Sequence, residues 1–145
     1  MAERKDPYKN FRYLVEIDGI AQGGFSEVTI PDSTQAVIEY REGNEPITTR
    51  KQPGLIKYAD VTLKWGITDS LDLYKWRKLV EDGKTKDARK NMAIIILDEE
   101  GKPAARWEFE NAWPTKYDAP DLKATGNEIA IENIVIAHEG MKRVK

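Results

Sequence analysis

The sequence predicts a mainly β fold: a two-sheet β-sandwich or partly open barrel with one α-helix packed against it. Apolar and polar residues alternate with a period of two over most of the chain, which is typical of half-buried strands. Only residues 69–82 carry apolar residues at helical spacing. With 145 residues and no internal repeat, the chain fits a single domain spanning residues 1–145.

The first two strands are predicted at residues 11–18 and 25–30. Every second residue from Phe11 to Ile17 is apolar, and this pattern ends at Gly19. The second strand ends at Pro31, because proline has no N–H group to donate to a neighbouring strand.

Two more strands are predicted at residues 35–42 and 58–67, on either side of a long connection. In the second of them, four apolar residues share one face: Val61, Leu63, Trp65 and Ile67. The connection, residues 43–57, holds two prolines, two glycines and charges of both signs, with nothing that would close a hairpin. Strand connections usually have about four to six residues, so this segment is either functional or a slack loop.

The helix is predicted over residues 69–82, with Asp69 as its N-cap and Gly83 as its end. Its apolar stripe consists of Leu73, Trp76, Leu79 and Val80. The charged residues 84–90 add at most a short turn.

The C-terminal part of the chain predicts three more strands. Residues 92–97 are continuously apolar, as expected of a strand that is covered on both faces. Residues 98–101 have the composition of a hairpin turn, which leads into a strand at residues 104–111. Trp113 and Pro114 are expected to end that strand.

The last strand changes phase near residues 132–133. Its apolar residues occupy one face at Ile129 and Ile131 but the other at Ile134 and Ile136. A β-bulge is the favoured explanation. The alternative is a strand that leaves its sheet to join another sheet or a neighbouring molecule.

The residues that carry most enzyme chemistry are missing or isolated. The chain has no cysteine, which excludes disulfides, thiolate zinc sites and cysteine nucleophiles. His138 is the sole histidine, and a structural role is expected for it. The carboxylates of Glu99 and Glu100 fit a turn, and the glycines of residues 19–24 match no nucleotide-binding motif. We therefore predict no catalytic, metal-binding or cofactor-binding residues. We also predict that the protein is not an enzyme.

Charge and hydropathy limit the partners. A net charge of −2 and a pI near 5.6 argue against tight binding of nucleic acid. The longest apolar run, residues 92–97, is too short to cross a membrane, so no membrane insertion is expected. Residues 1–10 lack the apolar segment of a secretory signal, which predicts synthesis in the cytoplasm.

The four tryptophans suggest an alternative function, a β-sandwich that binds carbohydrate or cell wall. Trp65 and Trp76 lie in register with apolar stripes, so core packing is favoured for both. A carbohydrate-binding module would be a monomer with an exposed aromatic platform around Trp107 and Trp113, and only Trp113 is expected at the surface.

Nearly the whole chain resembles the tail tube proteins of contractile phages and of related contractile injection systems. The resemblance is carried by residues 6–30, 40–46, 49–67 and 70–80 and is most specific over residues 40–67, from YREGNEP to KYADVTLKWGI. It implies a fold similar to the inner tube subunit of type VI secretion. It also implies homohexameric rings, in which sheets join between subunits, stacked into a hollow tube inside a contractile sheath.

The resemblance assigns residues 43–57 to contact with an adjoining ring. The predicted contact residues are Glu42, Asn44, Glu45, Arg50, Lys51, Pro53, Gly54, Leu55 and Lys57. The basic residues would meet carboxylates across the joint, while the prolines limit the conformations of the segment. A solvated flexible loop is the alternative.

Residues that line the channel would be polar at every second position of a strand. Glu39, Arg41, Thr62 and Lys64 meet this condition, although any solvated face would meet it too. The implied partners are other copies of the chain, the sheath protein, baseplate and tape-measure proteins, and DNA or effector cargo that is not held tightly. The implied final location is a virion tail or a released injection particle.

Overall fold

The computed structural model describes residues 12–20, 24–41, 43, 50–67, 70–126 and 129–145, and these residues form nine strands and two helices. The strands are β1 (Tyr13–Ile17), β2 (Phe25–Thr29), β3 (Ser33–Tyr40), β4 (Arg50–Tyr58), β5 (Val61–Gly66), β6 (Lys90–Leu97), β7 (Pro103–Asp118), β8 (Ile131–Ala137) and β9 (Gly140–Arg143). The helices are α1 (Asp72–Glu81) and α2 (Thr85–Ala88). The predicted mainly β class is confirmed.

Seven strands form one antiparallel sheet that is divided into two layers by its longest strand, β7. The first half of β7 pairs with β6 and β9, and β6 pairs with β1. The second half pairs with β8, which continues through β5 to β2. We call β1–β6–β7–β9 sheet A and β7–β8–β5–β2 sheet B.

The prediction that Trp113 and Pro114 end a strand is wrong, because β7 continues through both. The strand changes sheets near Asn111, whose φ of 49° is a left-handed value that asparagine tolerates well. The Asn111 amide donates a hydrogen bond to Glu139 Oε2 at 2.7 Å. The pairing with β8 shifts between Pro114 and Lys116, and such a bulge accommodates a proline that has no N–H group.

The core lies between the two sheets and is closed on one side by α1. Its buried side chains include Val61, Leu63, Trp65, Leu73, Trp76, Met92, Ile94, Phe109, Ile134 and Ile136. The predicted apolar face of β5 is therefore confirmed, except that Ile67 lies beyond the strand and is exposed. Four consecutive residues of β6, Met92 to Ile95, are buried, which confirms a strand that is covered on both faces.

The predicted helical stripe is confirmed, since Leu73 and Trp76 are buried against the sheets. The helix starts later than predicted: Leu71 occupies the N-cap, not Asp69, which lies outside the described residues. The charged run adds a short turn, as predicted, which forms the four-residue helix α2. The Trp76 indole N–H donates to the Ala88 carbonyl and ties the helices together. None of the helices in the described part of the chain is long and apolar enough to span a membrane.

The predicted bulge at residues 132–133 is also wrong. β8 pairs with β5 from Ile131 to Ile136 without a shift in register. The phase changes because Ile134 and Ile136 point into the core, whereas Ile131 and the preceding Ile129 are exposed. The sequence therefore places two apolar side chains outside the core at the start of this strand.

Strands β3 and β4 form a separate two-stranded sheet, which we call the arm. The expectation that nothing in residues 43–57 closes a hairpin is wrong, because residues 50–57 pair with β3. The pairing runs from Ser33 opposite Tyr58 to Tyr40 opposite Arg50. Tyr58 thus ends β4 and does not begin the next strand. The predicted contact residues Glu42, Asn44 and Glu45 lie outside the described residues.

Candidate assembly surfaces

Both strands of the arm are exposed along most of their length. The contacts of the arm lie mainly between its own two strands. Four large apolar side chains on it are exposed, by 60% at Val37, 52% at Ile38, 85% at Leu55 and 56% at Ile56. Apolar side chains gathered on a projecting element indicate a surface that another molecule covers.

Apolar side chains occur on both faces of the arm. Val37 lies opposite Pro53, and Gln35, on the same face, lies opposite Ile56. Ile38 points to the other face, because side chains alternate along a strand. A single covering surface would therefore leave part of the apolar area of the arm exposed.

Gly54 is required by a close approach between the two strands of the arm. The pairing shifts between Gln35 and Val37, and a Cβ atom on Gly54 would lie 2.9 Å from the Ala36 carbonyl oxygen. The Gln35 amide donates a hydrogen bond to the Gly54 carbonyl at 3.1 Å. This glycine was predicted as a contact residue, and the structure gives it a role in the geometry of the arm itself.

His138 connects the end of the arm near Tyr58 to the two main sheets. Its Nε2 lies 3.1 Å from the Ala59 carbonyl oxygen, which can only accept, so Nε2 is the donor. Its ring packs between Tyr58 at 5.6 Å and Phe109 at 4.9 Å. The Ala59 N–H in turn donates to the Asp32 carbonyl at 3.0 Å. The sole histidine of the chain thus holds the two ends of the arm in place.

The face of sheet B that points away from the core is mostly polar. The pairing register assigns to it Glu27, Thr29, Thr62, Lys64, Lys116, Asp118, Asn133 and Val135, with Ile131 at the end of the face opposite Gly66. Lys64 lies 3.5 Å from Glu27, and Lys116 lies 3.3 Å from Asp118. The charges on this face are therefore balanced by pairs of opposite sign.

The four predicted channel residues are not brought together. Thr62 and Lys64 lie side by side on the polar face of sheet B. Glu39 lies on the arm, and Arg41 directly follows β3. Only the first two therefore share a sheet.

Sheet B has an edge strand at each end. Within the described residues, each of these two strands pairs with a neighbour on one side and has a free side. These strands are β2 and the second half of β7. The free side of such a strand presents backbone N–H and C=O groups to which another chain can add a strand.

A tyrosine and a carboxylate meet where sheet B approaches α1. The Tyr117 hydroxyl donates a hydrogen bond to Glu132, and the Tyr74 ring lies edge-on to the Tyr117 ring at 5.3 Å. Burial, with a further contribution from Glu132, raises the pKa of Tyr117 to about 12.

We expect Tyr117 to titrate late in the folded protein, together with Tyr13, whose pKa burial also raises. The Tyr117 pKa rises from 10.0 in the unfolded chain to about 12 in the folded one, so its stabilising effect is complete below pH 10.0. That effect is lost as the pH rises through the folded pKa. Ultraviolet absorbance of tyrosinate during an alkaline titration measures this step. The amplitude of the late step should fall by one tyrosine in Tyr117→Phe, with the contribution of Tyr13 remaining, and should be unchanged in the matched variant Tyr74→Phe. An unchanged amplitude in Tyr117→Phe would contradict the assignment.

Among the described residues, no group of three or more histidine, aspartate or glutamate side chains could hold a metal ion. A depression of about 410 Å³ lies on sheet A. The carboxylates of Glu16 and Glu108 on its rim both pair with Arg106, at 3.2 and 3.0 Å. These carboxylates are engaged in surface ion pairs.

All four tryptophans fall within the described residues, and none is exposed. Trp65 and Trp76 are core residues, as predicted. Trp107 packs against the core beneath the Arg143 guanidinium, which lies 5.4 Å from the ring centre. Trp113 is half-buried within β7. A flat platform of tryptophans for sugar stacking is therefore absent.

A comparison with protein families gives one match over most of the chain. Residues 9–142 match the family described as T4-like virus tail tube protein gp19. A search of curated protein sequences found no match.

Several solved structures have a similar fold. A chain from the structure of the anti-feeding prophage cap, which terminates the tube, is 25% identical with a TM-score of 0.81, over 99% of this chain and 94% of that chain. A chain of the PVC extracellular contractile injection system, from its sheath-tube complex in the extended state, is 23% identical with a TM-score of 0.78, over 94% and 90%. Hcp1 from Flavobacterium johnsoniae is 14% identical with a TM-score of 0.61, over 92% and 95%.

Proposed function

The chain belongs to the family of T4-like virus tail tube proteins and is a structural tube subunit, and from this premise we propose how it assembles. Copies join into homohexameric rings, and the rings stack into the hollow inner tube of a contractile tail or injection system. The chain acts by assembly and catalyses no reaction.

The observation that carries this proposal is the construction of sheet B. Its polar face lies between two strands with free sides, β2 and the second half of β7. Pairing of β2 in one copy with β7 in the next would continue the sheet around a ring. The polar face would then line the channel, with Thr62 and Lys64 among the lining residues. Because the charges on this face are paired, the channel would not hold cargo tightly.

The arm supplies the contact between rings in this proposal. Its strand β4 contains the predicted contact residues that the structure describes: Arg50, Lys51, Pro53, Gly54, Leu55 and Lys57. Both faces of the arm carry exposed apolar side chains, and burial of these in an adjoining ring would stabilise the stack. Its basic residues would add salt-dependent pairing with carboxylates across the joint.

The proposed partners follow from the family. The tube would lie inside a sheath protein and contact baseplate and tape-measure proteins, and it would conduct DNA or protein effectors. Similar chains come from structures of a prophage baseplate, a prophage cap and a sheath-tube complex. The chain would be made in the cytoplasm and end in a virion tail or a released particle.

Electron microscopy of the purified protein tests this function. We expect rings with sixfold symmetry and, at higher protein concentration, hollow tubes. Sedimentation over a range of concentrations supplies an independent measurement. A strictly monomeric species at all concentrations would contradict the proposal and favour the alternative, a carbohydrate-binding module, although no tryptophan is exposed as its platform would require.

A further inference from the structure

An exposed apolar patch lies at the end of sheet B opposite to the arm. It consists of Ile67, Ile129 and Ile131, which are exposed by 51%, 78% and 43%. Ile129 and Ile131 lie on the face of Gly66, and Ile67 lies at the same end of the sheet but on its other face. We call these three residues the isoleucine patch. A side chain of this size is usually buried, so three exposed isoleucines around one end of a sheet indicate an end that is covered in the functional state.

The backbone holds the three isoleucines in fixed positions. The Ile67 N–H donates a hydrogen bond to the Ala130 carbonyl at 3.1 Å, which ties the segments on either side of the patch together. Ile131 pairs with Gly66 at the end of β5. A Cβ atom on Gly66 would lie 3.4 Å from Ile129 Cγ2, so the glycine leaves room for Ile129 against the strand. The patch is therefore part of the folded sheet.

The arm and the isoleucine patch lie at opposite ends of β5. The arm joins β5 at Val61, and its other strand follows β2, whose Thr29 pairs with Thr62 at the same end. The patch lies at the Gly66 end. Six residues of strand separate these ends by about 20 Å. Copies that are aligned head to tail along β5 would therefore bring the arm of one copy to the patch of the next.

We infer that the isoleucine patch is the site at which the arm of a copy in the adjoining ring binds. The occupant is a second copy because both surfaces are apolar, both are exposed in the isolated chain, and they lie at opposite ends of one strand. A contact between two different surfaces of identical subunits does not close, so it repeats from ring to ring. This inference rests on the proposed tube and adds the receiving surface to it.

The arm residues nearest the joint are Leu55 and Ile56. They lie two to three residues from Tyr58, within about 10 Å of the base of the arm. They are thus placed at the plane where two rings would meet. Their exposed fractions, 85% and 56%, make them the natural counterparts of the patch.

Disulfide trapping tests this contact directly, because the chain has no cysteine of its own. A Leu55→Cys chain and an Ile129→Cys chain with different tags are assembled together and oxidised. We expect covalent dimers that carry both tags. The matched control replaces Ile129→Cys with Leu122→Cys, since Leu122 is exposed by 83% but lies outside the patch. Absence of the mixed dimer in assembled tubes, or an equal yield with Leu122→Cys, would overturn the inference.

A second experiment separates this inference from the function on which it rests. In Ile129→Asp we expect folded rings whose stacking needs at least about tenfold more protein, because the buried apolar contact is lost. Leu122→Asp should stack like the wild-type protein. If wild-type tubes form and Ile129→Asp stacks equally well, the inference fails and the tube function stands. If the wild-type protein forms no rings or tubes, both fail.

Discussion

Shortening the arm should abolish stacking and leave the domain folded. The variant joins Gln35 to Ile56 through an Asn-Gly turn, which suits a two-residue hairpin loop because those residues are paired. We expect the free energy of unfolding to change by less than about 1 kcal/mol, since surface changes away from the core are usually small. Tubes should be lost while rings persist. Urea unfolding and electron microscopy measure the two effects.

The matched control for the shortened arm keeps its length and removes charge, as in Lys51→Ala combined with Lys57→Ala. Stacking of this control should weaken and lose part of its dependence on salt, because exposed ion pairs are screened. Tubes of normal length from the shortened variant would show that the arm has no part in stacking. Stacking that is independent of salt in the wild-type protein would rule out the role of Arg50 and Lys51.

Trp76→Ala should be the most destabilising single substitution at a core position. The side chain is fully buried between α1 and the sheets, and its indole N–H donates to the Ala88 carbonyl of α2. Replacement of a buried tryptophan by alanine typically costs about 3–5 kcal/mol. A domain of this size often has only about 5–15 kcal/mol in total, so partial unfolding at ordinary temperature is expected. The measurement is urea unfolding followed by circular dichroism.

Two variants separate the contributions of Trp76. Trp76→Phe keeps most of the apolar contact but leaves the Ala88 carbonyl without its indole donor, at a cost of about 1–3 kcal/mol. Trp107→Ala should cost less than Trp76→Ala, because Trp107 is only partly buried. Equal losses for Trp107→Ala and Trp76→Ala would contradict the central place of Trp76 in the core.

The periodicity of the sequence predicts the core well. Strand β5 and helix α1 each bury the face that their apolar spacing indicates, because burial of one face imposes the period of the element itself. The predicted turn at residues 98–101 also forms: Asp98 Oδ1 accepts hydrogen bonds from the backbone N–H groups of Glu100 and Lys102, both at 2.9 Å. Local chemistry and burial act together in these elements.

The rule that proline and glycine interrupt strands gave a wrong prediction at two places, where a loop or a strand end was expected and a strand continues. Pro53 and Gly54 lie inside β4, and Pro114 lies inside β7. In each strand the pairing shifts by one residue close to the proline, so the missing N–H group is tolerated. The sequence signal for a bulge is the same as the signal for a loop.

The candidate site was only partly predictable from the sequence. Alternation correctly placed Thr62 and Lys64 on one face, but it could not show that Glu39 belongs to a different sheet. Which strands pair depends on contacts between distant segments, and these leave no local period. The isoleucine patch carried a signal, the change of phase in the last strand, which the structure explains by exposure and not by a bulge.

The continuous path of β7 has a mechanical consequence. A single strand of 16 residues belongs to both layers, and its two halves are hydrogen-bonded to different neighbours. The hydrogen bonds that β7 makes are perpendicular to the strand. A force along β7 that slides one layer over the other must therefore break many of them at once. Load applied to either sheet passes through the covalent backbone to the other, and the subunit resists shear as one body.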